Sequence, residues 1–187
     1  MLDPMHRLHQ LNAALLVLLF AGSLWTWSDL PAQIPVHFDG SGTADRYAEA
    51  TLMQWLLLPL VALAVAGMLY AMAWWIGRNV GDLNVPDQDA FNALSESEQR
   101  QVAALPLGYL YGLTTAMLVL FGTMQAATYQ TAVYGDGAMH AYRTVATVVV
   151  LAGILAGTVW LMVALRRRIR RLSRDGGEGM SDSEGRR

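Results

Sequence analysis

The stretch that decides the fold is residues 52–77, LMQWLLLPLVALAVAGMLYAMAWWIG, which contains no charged side chain. One helical crossing of a bilayer core requires about 20 apolar residues, so this stretch is long enough to span a membrane. The rest of the chain repeats the pattern, because three further windows also lack Asp, Glu, Lys and Arg. These windows lie between Arg7 and Asp29, between Arg100 and Asp136, and between Arg143 and Arg166.

The four uncharged windows predict an all-α integral membrane protein that folds as a bundle of four transmembrane helices. Charged residues make up 15% of the chain, against about 25% in soluble domains, which excludes a soluble enzyme, a coiled coil and a nucleic-acid-binding domain. One membrane domain is expected over residues 1–172. Residues 173–187 are small and polar without apolar periodicity, which predicts a disordered tail. The spans are predicted at about residues 11–27, 52–77, 104–128 and 144–165.

Two residue types are missing from the chain, and each absence excludes a class of chemistry. The sequence has no Cys, so it forms no disulfide and offers no thiolate nucleophile or metal ligand. All 13 basic residues are Arg, which excludes catalysis by a lysine amine or a Schiff base. No other set of residues indicates a cofactor, and we expect none.

The arginines also predict the orientation in the membrane. With both termini in the cytoplasm, 11 of the 13 Arg lie on the cytoplasmic side and only Arg46 and Arg143 lie outside. Positively charged loops stay on the cytoplasmic side, so the sequence predicts cytoplasmic termini and two short outer loops. The expected location is the plasma membrane, or inner membrane, of the cell.

The first outer loop concentrates residues that define a tight, ordered structure. Pro31 and Pro35 favour extended backbone in the residues before them. Gly40 and Gly42 allow positive φ angles, and the loop also carries several turn-forming and titratable side chains. These polar residues are His37, Asp39, Ser41, Thr43, Asp45, Arg46 and Glu49.

This loop opens a second possibility, a transition-metal site on the outer face. His37 with Asp39 or Asp45 would supply nitrogen and oxygen ligands, and Asp136 and His140 of the second outer loop would add to them. Such a site requires the two outer loops to converge. The alternative is that each His only hydrogen-bonds its own loop or lies among lipid head groups.

The loop pattern Leu30-Pro31-x-x-Ile34-Pro35-x-His37-Phe38-x-x-x-Gly42-x-x-Asp45 is also similar to a known one. It resembles an uncharacterised family of multi-pass membrane proteins whose domain also begins the immunity protein against the sporulation-delaying toxin. The resemblance covers roughly residues 8–75, and Asn84-Val85-Pro86 is similar to a further segment of the family's four-span members. It implies the membrane fold and, for function, toxin protection or envelope signalling. The candidate ligand-binding residues are Pro35, His37, Phe38, Asp39, Gly42 and Asp45.

The second half of the chain adds a capped helix and a cationic cluster. Ser95 and Glu98 have the spacing of a capping box, which predicts a helix that runs into the third span. Phe91 and Leu94 are expected to lie against either the membrane surface or the bundle. The cluster Arg166, Arg167, Arg168, Arg170 and Arg171 follows the last span and is expected to bind anionic lipid head groups.

Taken together, these features favour a non-enzymatic binding or sensing protein that uses its first outer loop. The expected partners are membrane lipids and a peptide toxin or small envelope ligand, with no nucleic acid. A metal-dependent membrane enzyme using His37, Asp39 or Asp45, and His140 is the first alternative. An accessory subunit of a transporter is the second, because Gly108 with Gly112 and Gly153 with Gly157 form small-xxx-small pairs.

Overall fold

The computed structural model of the protein describes residues 4–135 and 140–184. Helix α1 covers Pro4–Thr26 and continues into a single 3₁₀ turn, Trp27–Asp29. Strands β1 (Gln33–Phe38) and β2 (Ala44–Glu49) follow it and pair with each other in antiparallel orientation. Four helices and a second 3₁₀ turn, Val80–Asp82, complete the order: α2 (Leu52–Arg78), the 3₁₀ turn, α3 (Gln88–Asn92), α4 (Glu96–Tyr134) and α5 (His140–Glu184).

The described residues contain four helices that are long and apolar enough to cross a membrane. The predicted spans 11–27, 52–77 and 104–128 fall inside three of them and the predicted span 144–165 overlaps the fourth, which confirms a multi-pass, mainly helical protein. A helix is the expected solution because a spanning segment has to satisfy its backbone hydrogen bonds internally. The four segments are Met5–Asp29, Leu52–Arg78, Glu96–Tyr134 and Thr147–Arg174.

The structure departs from the all-α prediction between α1 and α2. Within the predicted outer loop, which is expected to be ordered, residues 33–49 form a two-stranded β-hairpin. The proline pattern correctly indicates extended backbone but gives no pairing partner. Pairing satisfies backbone groups along the facing edges of the two strands, with Gln33 opposite Glu49 and Phe38 opposite Ala44.

Helices α4 and α5 both extend beyond the predicted spans. Helix α4 begins directly after Ser95, whose backbone N–H donates to Glu98 Oε2 at 2.9 Å, so the predicted capped helix does run into the third span. Helix α5 continues to Glu184, through part of the segment predicted to be disordered. No proline follows Pro106 in the sequence, and helix propagation adds one hydrogen bond per residue.

The chain divides into two compact units, of which the first comprises Met1–Leu69 and Tyr111–Ile154. Its apolar core joins Leu19 of α1, Ala62 and Ala66 of α2, and Leu118 of α4. The two alanines are small enough to let helix backbones approach closely. A polar link lies elsewhere in this unit, where Asn12 Nδ2 donates to the Tyr111 carbonyl at 3.1 Å.

The second unit comprises Tyr70–Leu110 and Leu155–Arg187. Phe91 of α3 is fully buried there, so α3 packs into the core of this unit. Two polar contacts join α5 to the segments before it: Arg168 Nη2 donates to Gln101 Oε1 at 2.8 Å, and Arg170 Nε lies 3.8 Å from Asp87 Oδ2. The core consists of Val85, Phe91, Leu94, Val102, Leu165 and Ile169.

Candidate ligand-binding site

The tip of the hairpin is organised by one carboxylate, that of Asp39. Its Oδ1 accepts from the Ser41 hydroxyl at 2.6 Å and from the Thr43 backbone N–H at 2.9 Å. These bonds stabilise the ionised form, so the Ser41 hydroxyl and then the Thr43 N–H lower the pKa of Asp39 below its usual value. Gly42 closes the turn with φ at +84°, a left-handed conformation that favours glycine.

The two strands do not pair in a regular register. Irregularities fall on either side of His37, because Pro35 pairs with Tyr47, His37 with Arg46, and Phe38 with Ala44. Each strand therefore carries one extra residue, Val36 in β1 and Asp45 in β2. Such bulges redirect side chains relative to the regular alternation of a strand.

The side chains of His37 and Asp45, which lie at these irregular positions, form a hydrogen-bonded pair. The imidazole Nδ1 of His37 donates to Asp45 Oδ1 at 2.6 Å. Both side chains are about half exposed, at 53% and 46%, so the pair is screened by solvent and contributes little to stability. The bond fixes the orientation of the imidazole ring.

A cavity of about 470 Å³ lies between the hairpin and helices α2, α4 and α5. We call it the hairpin cavity. Its size falls within the range of small-molecule sites, about 300 to 1,000 Å³. Apolar side chains form most of its wall. It is lined by Ile34, Pro35, Val36, Phe38, Asp39, Gly40, Gly42, Gln54, Trp55, Leu57, Leu58, Val61, Met124, Thr128, Thr144, Thr147 and Val148.

Trp55 forms a rigid part of this wall. The side chain is only 2% exposed, and its indole N–H donates to the Ser23 carbonyl of α1 at 2.7 Å. Its ring packs near that of Tyr129, with the ring centroids 6.5 Å apart. Tyr129 in turn donates from its hydroxyl to Asp29 Oδ2 at 3.2 Å. The indole therefore has a fixed position beside the cavity.

A proline four residues after Trp55 explains a further polar contact. Pro59 has no backbone N–H, so the Trp55 carbonyl lacks the partner that a regular helix would provide. Gln125 of α4 supplies the replacement, donating from Nε2 to the Trp55 carbonyl at 3.2 Å. Gln125 is itself 6% exposed, and its Oε1 has no partner among the described residues. This contact links α2 to α4 at the cavity.

The six residues proposed from the sequence divide between two places. Four of them line the hairpin cavity: Pro35, Phe38, Asp39 and Gly42. His37 and Asp45 do not line it and instead bond to each other. The helical part of the wall was missed by sequence reasoning, because Gln54, Trp55 and Val148 look like ordinary span residues. Pro59 was the available signal, since it leaves the Trp55 carbonyl open to a donor from another helix, here Gln125 of α4.

The metal-site alternative finds no support in the part of the chain that the structure describes. No group of three or more His, Asp or Glu side chains there is placed to hold an ion. Asp39 is engaged in the turn, and His37 bonds Asp45. Asp136 and the side chain of His140, the ligands predicted from the second loop, lie outside the described residues.

The arginine cluster lies on α5 in the second unit, and all five side chains are exposed. Two of them also make contacts within the unit, Arg168 with Gln101 and Arg170 with Asp87. Leu165 and Ile169, on the intervening helix positions, are buried in the core. The helix therefore presents an apolar side to the unit and a cationic side to its surroundings. The exposed arginines are Arg166, Arg167, Arg168, Arg170 and Arg171.

Comparison with known proteins gives a partial match. No curated protein and no solved structure matches the chain. Residues 14–63 match the family model described as Domain of unknown function (DUF1648). The matched segment contains most of α1, both strands of the hairpin and the first part of α2. This part of the chain, which includes the hairpin side of the cavity, is therefore similar to an uncharacterised family of unknown function.

Proposed function

We propose that this chain is a non-enzymatic binding or sensing protein of the plasma membrane, and that its ligand occupies the hairpin cavity. The observation that carries the proposal is the cavity itself, which is enclosed partly by the segment that the sequence singled out. A fixed indole and a turn carboxylate provide an apolar and a polar side to one space. That combination is typical of sites that bind small amphipathic molecules.

The hairpin is assigned to the outer side of the membrane, with both termini in the cytoplasm. The uneven distribution of arginine supports this orientation, since 11 of 13 would then be cytoplasmic. The absence of cysteine makes a direct test simple. Gly40→Cys should react with a membrane-impermeant maleimide added to intact cells, whereas Asp82→Cys should react only after permeabilisation. The reverse labelling would contradict the orientation.

The arginine cluster is assigned to anionic lipid head groups of the cytoplasmic leaflet. Its exposed cationic side supports this role, because each basic residue near an anionic leaflet contributes about 1 kcal/mol of attraction. Arg166, Arg167 and Arg171 are the best candidates, since the side chains of Arg168 and Arg170 also contact Gln101 and Asp87. Lipid binding there would anchor α5.

The resemblance to the start of the sporulation-delaying-toxin immunity protein supports a role in toxin protection or envelope signalling. The matched family segment covers the hairpin, so a likeness in function would involve the same cavity. The ligand would then be a toxin peptide or a small envelope molecule that inserts an apolar group. The cavity volume is appropriate for one small molecule or a few apolar side chains.

The decisive experiment measures protection of a cysteine at the cavity. Gly40 lines the cavity, and a Cβ placed there meets no atom within 4 Å, so Gly40→Cys should not disturb the hairpin. In phosphatidylcholine nanodiscs, linear alcohols from octanol to hexadecanol should slow maleimide labelling of this cysteine. We expect protection to increase with chain length and then to stop increasing once the chain exceeds the cavity.

Partition into the bilayer provides the competing explanation, and it increases with chain length without such a limit. A matched variant, Val61→Trp, fills part of the cavity from α2 and should remove the protection. Labelling that is insensitive to every alcohol, or equally protected with and without Val61→Trp, would overturn the proposed function.

A further inference from the structure

The chemistry of the cavity wall restricts the ligand further, and this step rests on the proposed function. Among the described lining residues Asp39 is the only charged one. The part of the wall that α2 contributes is mainly apolar and includes Trp55, Leu58 and Val61. A ligand that satisfies both surfaces has an apolar chain and a group that pairs with a carboxylate.

The position of Asp39 is fixed by the turn, and its carboxylate is exposed. The Ser41 hydroxyl and the Thr43 N–H hold Oδ1 in place, so the charge does not have to be ordered when a ligand binds. Preorganisation of this kind reduces the entropic cost of binding. The same bonds favour the ionised carboxylate, which therefore presents a negative charge at the cavity.

The surrounding segment strengthens the preference for a cation over an anion. Between α1 and α2 the chain carries the acidic residues Asp39, Asp45 and Glu49 in addition to Asp29, against a single Arg46. Complementary charge steers ligands of the opposite sign and disfavours those of the same sign. An anionic head group would meet repulsion at this site.

The apolar side of the cavity is accessible from the hydrocarbon region of the bilayer. Leu57 and Val61 of α2 and Val148 of α5 line the cavity, yet they are 48%, 41% and 59% exposed. These residues belong to two membrane spans, so their exposed surface faces apolar surroundings. An amphiphile that has partitioned into the membrane reaches the cavity without passing through water.

We infer that the hairpin cavity binds a single-chain amphiphile with a protonated amine head group. Its chain lies against Trp55, Leu58 and Val61, and its ammonium group lies at the Asp39 carboxylate. A neutral amphiphile is an alternative occupant that the following test separates from it.

The test compares three probes of equal chain length in the Gly40→Cys protection assay: dodecylamine, dodecanol and dodecanoate. In phosphatidylcholine nanodiscs at pH 7, dodecylamine should protect at a concentration at least tenfold below that of dodecanol, and dodecanoate should protect least. Asp39→Asn should remove the preference for the amine, so that dodecylamine and dodecanol protect at similar concentrations. Glu49→Gln provides the matched control, because Glu49 carries the same charge on β2 but does not line the cavity.

Each outcome decides between the two proposals. Equal protection by dodecanol and dodecylamine overturns the inference and leaves the proposed function standing, whereas no protection by any probe overturns both. Loss of the amine preference in Glu49→Gln as well as in Asp39→Asn also overturns the inference. The preference would then come from the overall negative charge of the hairpin and not from a contact with Asp39. If Asp39→Asn disturbs the turn and loses all protection, Asp39→Glu should retain the amine preference, and its failure to do so overturns the inference.

Discussion

The two compact units differ in how fully side chains fill the space between their secondary-structure elements. In the second unit this space is filled by six buried apolar side chains, including Phe91 at 0% exposure. In the first unit a volume of about 470 Å³ remains open beside the hairpin. Protein interiors normally leave few voids larger than a water molecule. The open volume beside the hairpin is large enough to hold a small ligand, which is what a binding site requires.

The largest effect expected from this comparison follows from two phenylalanine truncations. Phe91→Ala removes a fully buried ring and should lower the free energy of unfolding by about 3 to 5 kcal/mol. Phe38→Ala removes a half-buried ring at the open cavity and should cost about 1 kcal/mol or less. Denaturant titration of both variants in the same detergent measures the difference. Equal losses would show that the cavity side is packed as tightly as the filled core.

The second prediction contrasts the acidic hairpin with the cationic side of α5. Changing Arg166, Arg167 and Arg171 together to Gln should weaken anionic-lipid binding by about 3 kcal/mol, at about 1 kcal/mol for each charge. Native mass spectrometry from nanodiscs containing phosphatidylglycerol measures the number of retained lipids. Arg46→Gln on the hairpin serves as the control and should leave that number unchanged. An unchanged number of retained lipids in the triple variant would show that the cluster does not bind lipid head groups.

Most of the architecture of both regions could be predicted from the sequence. The thickness of a bilayer sets the length of a spanning segment, and its apolar interior excludes charged residues from that segment, so both properties can be read from the order of residues. The four spans, the helix after Ser95 and the extended segment after Pro31 all follow from local rules. The pairing of β1 with β2 does not, since it depends on contacts between residues up to 16 positions apart, such as Gln33 and Glu49. The bulges beside His37 also have no local signal.

The candidate site could be predicted less completely than the fold, because it also depends on contacts between distant parts of the chain. Sequence reasoning selected one continuous loop, but two of its six candidate residues, His37 and Asp45, do not line the cavity. Regular alternation along β1 would place Ile34, Val36 and Phe38 on one face and His37 on the other, and the first three line the cavity whereas His37 does not. The helical wall depends on helix rotation, which an almost uniformly apolar span does not reveal. Trp55 is thus buried at 2% exposure whereas Trp25 is 84% exposed, although both lie at the ends of spans.

The third prediction uses two glycines at the hairpin tip that differ in backbone conformation. Gly42 has φ at +84°, so Gly42→Ala should strain the turn by about 1 to 2 kcal/mol. Gly40→Ala introduces a Cβ with no atom within 4 Å and should be nearly neutral. Amide hydrogen exchange of residues 33–49 should become faster only in Gly42→Ala. Equal exchange in both variants would mean that the hairpin is not held by this turn.

The smallest expected effect concerns the contact that joins α2 to α4 at the cavity. Gln125→Leu removes the donor to the Trp55 carbonyl and leaves that carbonyl without a partner, since Pro59 provides no N–H. Interhelical hydrogen bonds in membranes average about 0.6 kcal/mol, so a loss of that order is expected. The cost stays small because the replacement also removes the partnerless Oε1 of Gln125.

A double-mutant cycle isolates this contribution from general packing. Pro59→Ala restores a backbone N–H that can donate to the Trp55 carbonyl within α2, so Gln125→Leu should cost less in that background than in the native one. The unfolding free energies of the four proteins in one detergent give the coupling. Additive effects would show that Gln125 does not replace the bond lost at Pro59. A measurable coupling would instead identify Pro59 as the reason why α4 lies against α2 beside the hairpin cavity. The contacts described for the filled second unit include no counterpart of this one.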